Sequence, residues 1–300
     1  IYFMTFDQLD NKSLTLHIGL MKTASTFLQH NVFPKFPGVH YVDTNSPLFN
    51  RGIIEGKEPI LISNEDMSGC PYLKEIDGLA YPAQFKRSIQ NICTIFDQPN
   101  IVICFREPSE LINSYYKQYL HEGGTKSWED FFSLRDNGIV KKEDLTFTRF
   151  ISVLRMYIPK ENIYAYTFDQ FKKDPELVAG NIYQFITGKP LPVNVRFDTQ
   201  KRSNPSVKDD LESLLIRLNR LDILSKKKLR SKLQLKVLGK TLNPRVLCQY
   251  LLPKLITFEN RRDLSEIKAF YKEDWRSVVK KIEDLNREKK YIGTDNHIEE

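Results

Sequence analysis

The chain has 300 residues, 41% of them apolar and 28% charged, with 13 glycines, 15 prolines and a formal net charge of +7. That length fits one large domain, or one domain with an appendage, and the composition excludes collagen-like, low-complexity and wholly disordered chains. No apolar run reaches the roughly 18 residues of a membrane span, and the best one, Val246 to Phe258, is interrupted by Pro253 and Lys254. It reads as a buried or interfacial segment. No basic region followed by an apolar core opens the chain, so no secretory signal is expected; the first methionine is Met4, and a removed targeting segment stays open. Cys70, Cys93, Cys104 and Cys248 have neither C-x-x-C nor metal spacing, and read as reduced, packed thiols of a cytoplasmic protein.

Short apolar runs alternate with helical patterns over the first two-thirds of the chain, which predicts a parallel sheet with crossover helices. The expected strands are Leu14–Ile18, Val39–Val42, Pro59–Ser63, Ile101–Phe105 and Ile163–Phe168. The continuous apolar run at Ile101–Phe105 suits a central strand buried on both faces. Helices are expected at Ser25–Val32, Phe85–Phe96, Glu110–His121, Ser127–Arg135, Thr146–Tyr157 and from Asp174 through Ile186, the last with Pro175 in its first turn. After Gly188 and Pro190 the pattern turns helical and charged. Leu211, Leu214, Leu215 and Leu218 form an apolar stripe, and further helices are expected at 245–256 and 263–289. This gives an α/β fold with a central parallel sheet of about five strands flanked by helices. Residues 1–200 form its core, and a helical C-terminal part, 201–300, packs on it.

Charge is uneven along the chain. Residues 1–200 carry 21 basic and 23 acidic side chains, whereas 201–254 carry 14 basic and 4 acidic, and no acid lies between Ile223 and Phe258. Such a stretch is either a solvated helix face or a surface that attracts an anion such as a nucleotide, an acidic glycan or a lipid surface. A nucleic-acid partner is not expected, because the basic stripe lacks interleaved stacking aromatics and no binding motif is present.

Two constellations carry chemistry. The first is His17-Ile-Gly19-Leu-Met-Lys22-Thr23-Ala24-Ser25-Thr26, a strand, a glycine turn, a lysine and a helix start. Gly19 allows a tight turn, the free N–H groups of the helix start favour an anion, and Lys22 adds a mobile charge beside three hydroxyls. The nucleotide-triphosphate loop G-x-x-x-x-G-K-[ST] is not matched, since its second glycine is missing. The second constellation is Phe105-Arg106-Glu107-Pro108 followed by a helix with Ser114. Arg106 leaves the C-terminal end of a strand, where open α/β sheets bind ligands. A nucleoside triphosphatase would hold Mg²⁺ there with an aspartate, and the arginine argues against metal-assisted phosphoryl transfer.

These motifs resemble the sulfotransferases that use 3′-phosphoadenosine 5′-phosphosulfate (PAPS). His17 to Thr26 is similar to their P-loop-like 5′-phosphosulfate loop, and Arg106 to Ser114 to their 3′-phosphate motif. Lys201-Arg202-Ser203-Asn204-Pro205-Ser206 resembles a late loop of bacterial members, and Phe270 to Asp274 their last helix. Leu20, Met21 and Ala24 depart from the usual loop residues. The resemblance implies that Gly19, Lys22, Thr23, Ala24, Ser25 and Thr26 hold the 5′-phosphosulfate, and that Arg106, Ser114, Lys201 and Arg202 contact the 3′-phosphate. It implies in-line sulfuryl transfer to a hydroxyl or amine, with no metal and with adenosine 3′,5′-bisphosphate as product. The expected acceptor is a carbohydrate or glycolipid, with an anionic substrate or membrane surface at residues 223–258. The expected location is cytoplasmic, with peripheral membrane association as an option.

Lys22 is the expected stabiliser of the leaving oxygen. The acceptor must lose a proton, and Glu65, just past a strand end, is the expected base, with Asp66 and His121 as rivals. His17 reads as a core residue or as one that supports a site residue from behind, His30 and His40 carry no signal, and Trp128 and Trp275 read as packing residues. The alternatives are a P-loop kinase-like phosphotransferase and a nucleotide-binding protein without catalysis.

Overall fold

The structure, a computed structural model, describes residues 14–43, 59–72, 78–96, 98–198, 211–220, 235–237, 240–242 and 262–287. The chain opens with β1 (Leu14–His17) and α1 (Ser25–Phe27), which continues into a π turn over Leu28–Val32 and a 3-10 turn over Phe33–Lys35. Strands β2 (His40–Asp43) and β3 (Ile60–Ser63) lead to a 3-10 turn, Glu65–Ser68, and to α2 (Tyr81–Ile95). Next come β4 (Asn100–Phe105), α3 (Pro108–His121), α4 (Trp128–Phe131) and α5 (Phe147–Tyr157). After β5 (Ile163–Thr167), α6 (Phe168–Lys173) and α7 (Pro175–Thr187), the described C-terminal elements are α8 (Glu212–Arg220), β6 (Leu235–Val237), β7 (Lys240–Leu242) and α9 (Ser265–Asn286).

Contacts divide the chain into two compact units. The first comprises Ile1–Glu107, Thr146–Lys201 and Lys272–Glu300. Its five strands are all parallel, in the order β2-β3-β1-β4-β5. Every residue of β5 is buried, as are Ile101 to Phe105 of β4, because a parallel sheet carries helices on both faces and its strands need apolar side chains on both. On one face Val102, Cys104, Tyr164 and Tyr166 pack with Leu28 and Val32 and with Ala179 and Ile182 of α7. On the other, the Phe105 ring lies 5.7 Å from Phe147, and Phe150 of α5 meets Phe85 and Tyr81 of α2 at 4.6 and 5.0 Å.

The strand order sets the position of a ligand crevice. From β1 the chain moves towards β2 at one edge, and from β4 it moves towards β5 at the other. These two neighbours therefore send their connections in opposite directions, and the gap between their C-terminal ends is where open α/β sheets take ligands.

The second unit comprises Pro108–Leu145 and Arg202–Tyr271. Its helices meet around Arg262, whose guanidinium lies 4.0 Å from the Trp128 ring and 5.0 Å from the Tyr116 ring, donates to Asn113 Oδ1 (2.7 Å) and pairs with buried Glu212. Such a pair is held by its hydrogen bonds as well as its charge, since losing one partner would strand the other in an apolar setting. Asn219 of α8 donates to the carbonyls of Leu120 (2.8 Å) and Gly124 (2.7 Å).

The expected strands and helices form with ends shifted by a few residues, with one larger difference. The helix expected over Ser127–Arg135 ends at Phe131, because Phe132 turns extended and bridges Val140. The ladder of β6 and β7 is antiparallel and was not expected. The helix expected at 245–256 lies outside the described residues, and so does the basic stretch 223–258 apart from the backbone of β6 and β7.

Within the first unit, α9 joins the core through a long-range cap. Asp274 accepts from the N–H of Phe147 (2.9 Å) and Thr148 (3.4 Å) and from the Thr148 hydroxyl, satisfying the otherwise open start of α5. Asp274→Ala should lower the unfolding free energy by about 1–2 kcal/mol, as for other lost N-terminal caps. Urea denaturation with an unchanged slope checks this, and an unmoved midpoint would show that the cap does not hold α5.

Candidate active site

The residues singled out in the first motif leave β1 at its most constrained point. His17, the last residue of β1, accepts at its carbonyl from Asn64 N (3.0 Å), and Ile18 N donates to Val102 O (3.0 Å). β1 is thus tied to the exit of β3 on one side and to β4 on the other. Beyond it, Lys22 (φ 66°) and Ala24 (φ 68°) both adopt the left-handed conformation. For residues with a Cβ this is strained. It persists here because the loop is fixed by several contacts. The Thr23 hydroxyl donates to Leu20 O, and Ser68 Oγ donates to Glu65 O (2.8 Å) and reaches Gly19 O at 3.4 Å. Alternating conformations of this kind turn successive backbone N–H groups into a concave anion-binding nest.

Beneath the loop lies a buried polar chain of which the sequence singled out only His17. Gln29 Nε2 donates to Ser63 Oγ (3.1 Å), which is bonded to His17 Nδ1 (2.7 Å). His17 is fully buried, and burial lowers its pKa to about 3, so the imidazole is neutral. Its Nε2 has no hydrogen-bond partner. A Cβ on Gly19 would sit 2.9 Å from that nitrogen and 3.1 Å from Ser25 Oγ, which is why only glycine fits there. Ser25 is likewise buried, and its hydroxyl faces the Glu65 carboxyl. An orphaned ring nitrogen beneath a strained loop is a feature that calls for an explanation, and a bound ligand is one.

Glu65 stands in the turn after β3, half-buried, close to Ser25 and Lys22. Burial raises its pKa above the usual carboxylate value and Asp66 adds to the rise, while Ser25 and Lys22 oppose it. Asp66 is exposed and its N–H is taken by Asn64 Oδ1 (2.8 Å). Of the two, only Glu65 has the partly desolvated setting in which a carboxylate becomes a useful base.

Arg106, the first residue after β4, donates from Nη1 to Lys22 O (3.0 Å), and its guanidinium lies 4.4 Å from the centre of the Phe168 ring. The first unit therefore brings together Gly19, Lys22, Thr23, Ala24, Ser25, Thr26, Glu65 and Arg106. Ser114, half-buried on α3, and His121, at the end of that helix, belong to the second unit. Lys201 and Arg202 lie outside the described residues. Among the described residues there is no cluster of His, Cys, Asp and Glu able to hold a metal ion, and no helix is long and apolar enough to cross a membrane.

His17 makes stability depend on pH. A depressed histidine pKa means the unfolded chain binds a proton that the folded one refuses. Stability therefore falls as pH drops below about 6.5, the unfolded value. His17→Gln should flatten the acid slope of unfolding free energy by up to about 1.4 kcal/mol per pH unit. Denaturation curves collected from pH 7 to 4.5 would show it, and equal slopes for both proteins would mean that His17 takes up its proton in the folded state.

Residues 81–214 match the family model of the sulfotransferase domain. The matched segment contains Arg106 and Ser114 and begins after the Gly19–Thr26 loop and Glu65. No curated protein matches the chain. Among solved structures, a sulfotransferase from Alicyclobacillus acidocaldarius is similar at 14% identity and a TM-score of 0.40, covering 75% of this chain and 97% of its own. A mouse sulfotransferase complexed with PAP is similar at 12% identity and a TM-score of 0.39, covering 93% of this chain and 85% of its own. Residues 81–214 are thus similar to a sulfotransferase domain, the same family that the sequence motifs resemble.

Proposed function

We propose that this protein transfers a sulfuryl group from PAPS to a hydroxyl or amine, with a carbohydrate or glycolipid as the acceptor. Sulfotransfer in general rests on the domain match. The observation that carries the donor is the bond from Arg106 to the Lys22 carbonyl at the crevice between β1 and β4, above the orphaned His17 Nε2. The two cationic residues, together with the backbone N–H groups and hydroxyls of the loop, suit an anion with two separated negative groups.

In this reading the loop from Gly19 to Thr26 cradles the 5′-phosphosulfate. Arg106 takes the 3′-phosphate, with Ser114, Lys201 and Arg202 assigned to it by motif alone. The donor supplies an activated sulfuryl group whose leaving oxygen becomes negative. Lys22 stabilises that developing charge. Glu65 accepts the acceptor's proton, and its raised pKa brings it closer to the working pH than a free carboxylate. Residues 201–300 add the basic stretch 223–258, which suits an anionic acceptor or a membrane surface. Cytoplasmic location, with peripheral membrane contact, belongs to the same reading.

Titration calorimetry tests the donor: adenosine 3′,5′-bisphosphate should bind without Mg²⁺ and ATP poorly, and tighter Mg²⁺-dependent ATP binding would overturn the reading. Lys22→Ala should reduce turnover by roughly 10²-fold or more while weakening bisphosphate binding far less, because its charge acts chiefly on the leaving oxygen. Equal losses would make Lys22 a binding residue only. Glu65→Gln should leave nucleotide affinity nearly intact and cut transfer by roughly 10²-fold. A base acts ionised, so the raised pKa moves the acid limb of kcat/KM above the roughly 4.3 of a free glutamate, and the substitution removes that limb. Retained activity in Glu65→Gln, with loss in Asp66→Asn, would move the base to Asp66.

A further inference from the structure

Arg106 does something in this fold that a 3′-phosphate contact does not require. Its Nη1 donates to the carbonyl of Lys22 across the crevice between β1 and β4, while its plane is fixed against Phe168 at the end of β5. Phe168 is itself held: it opens α6 behind a capping box made by Thr167 and Gln170, stacks near Phe171 (6.3 Å) and has Lys172 over its ring (5.3 Å). The guanidinium is thus fixed in two independent directions, one hydrogen bond in its plane and one ring on its face. Lys22 is the residue at the other end, and its backbone is in the left-handed conformation that side chains rarely adopt. A charge-assisted bond to its carbonyl favours that conformation, because turning the peptide away breaks the bond.

We propose that Arg106 is a positioning residue for the Gly19–Thr26 loop: by clamping the Lys22 carbonyl it holds the loop in its anion-binding shape, whether or not a 3′-phosphate is present. This rests on the donor reading given above and adds a coupling to it. The arginine assigned to one end of the donor also shapes the site for the other end. By reciprocity, an anion that orders the loop also helps to orient Arg106.

The test separates the two roles by using a ligand without a 3′-phosphate. In ligand-free Arg106→Gln and Arg106→Lys, backbone amides of residues 19–25 should exchange with deuterium roughly tenfold faster than in the unsubstituted protein, as expected when a local opening becomes easier. Lysine keeps the charge but not the planar fork, so it should not restore protection. Affinity for adenosine 5′-phosphosulfate should fall roughly five- to tenfold in both variants, as a loosened loop binds its anion less well. Unchanged loop exchange in the folded variants overturns the proposal. So does an unchanged affinity for adenosine 5′-phosphosulfate alongside weaker binding of the 3′,5′-bisphosphate, which would confine Arg106 to the 3′-phosphate. If the unsubstituted protein binds neither nucleotide, the donor reading fails, and the exchange measurement alone decides whether the clamp exists.

Discussion

The end of β1 is held from both sides, and the geometry of the candidate site follows from that. Asn64 N bonds to His17 O on the β3 side, and Ile18 N bonds to Val102 O on the β4 side. A strand at the sheet edge could not offer two such neighbours. Being central, β1 delivers the next residue to a fixed point in space with little freedom of direction. The loop can then carry two left-handed non-glycine residues, since its entry is set by the sheet and its interior by the Thr23 hydroxyl and the Ser68 side chain. The strain stays local and is offset by contacts that span 46 residues and more of sequence.

Burial gives the charged groups their character. Lys22 and Arg106 keep partial access to water, so their charges stay available to a ligand. Glu65 is pushed the other way by desolvation and by Asp66, and only Ser25 and Lys22 keep it from rising further. His17 is buried so completely that it stays uncharged, which matters because an imidazolium beneath the loop would have no counter-charge in contact. A cationic rim over a neutral floor suits an anion that enters from the crevice.

The strands were legible because a doubly covered parallel sheet demands short unbroken apolar runs, and Ile101 to Phe105 is one. The loop was legible because glycine, lysine and hydroxyl residues follow a strand in close order. What the sequence hid were bonds from side chains to distant backbone. Nothing near Arg106 announces that it will reach the carbonyl of Lys22, 84 residues earlier, and nothing near Asp274 that it will cap a helix 127 residues before it. Such partners leave no periodicity, because only one residue of each pair is chosen by type and the other contributes its peptide group. The short α4 was missed for a related reason: Phe132 and Val140 pair through backbone, and the helical spacing of Ser127–Arg135 says nothing of that. The Gln29–Ser63–His17 chain was invisible because three ordinary residues become a network only once β1 and β3 lie side by side.

The chain's two tryptophans fall one in each compact unit, Trp275 on α9 in the first and Trp128 under Arg262 in the second. Each is half-buried, so its emission responds to the loss of its own surroundings. A Trp275→Phe protein would glow only from the second unit and a Trp128→Phe protein only from the first. The molecule thus carries two optical channels, through which cooperative melting of both units can be told from the separate loosening of either one.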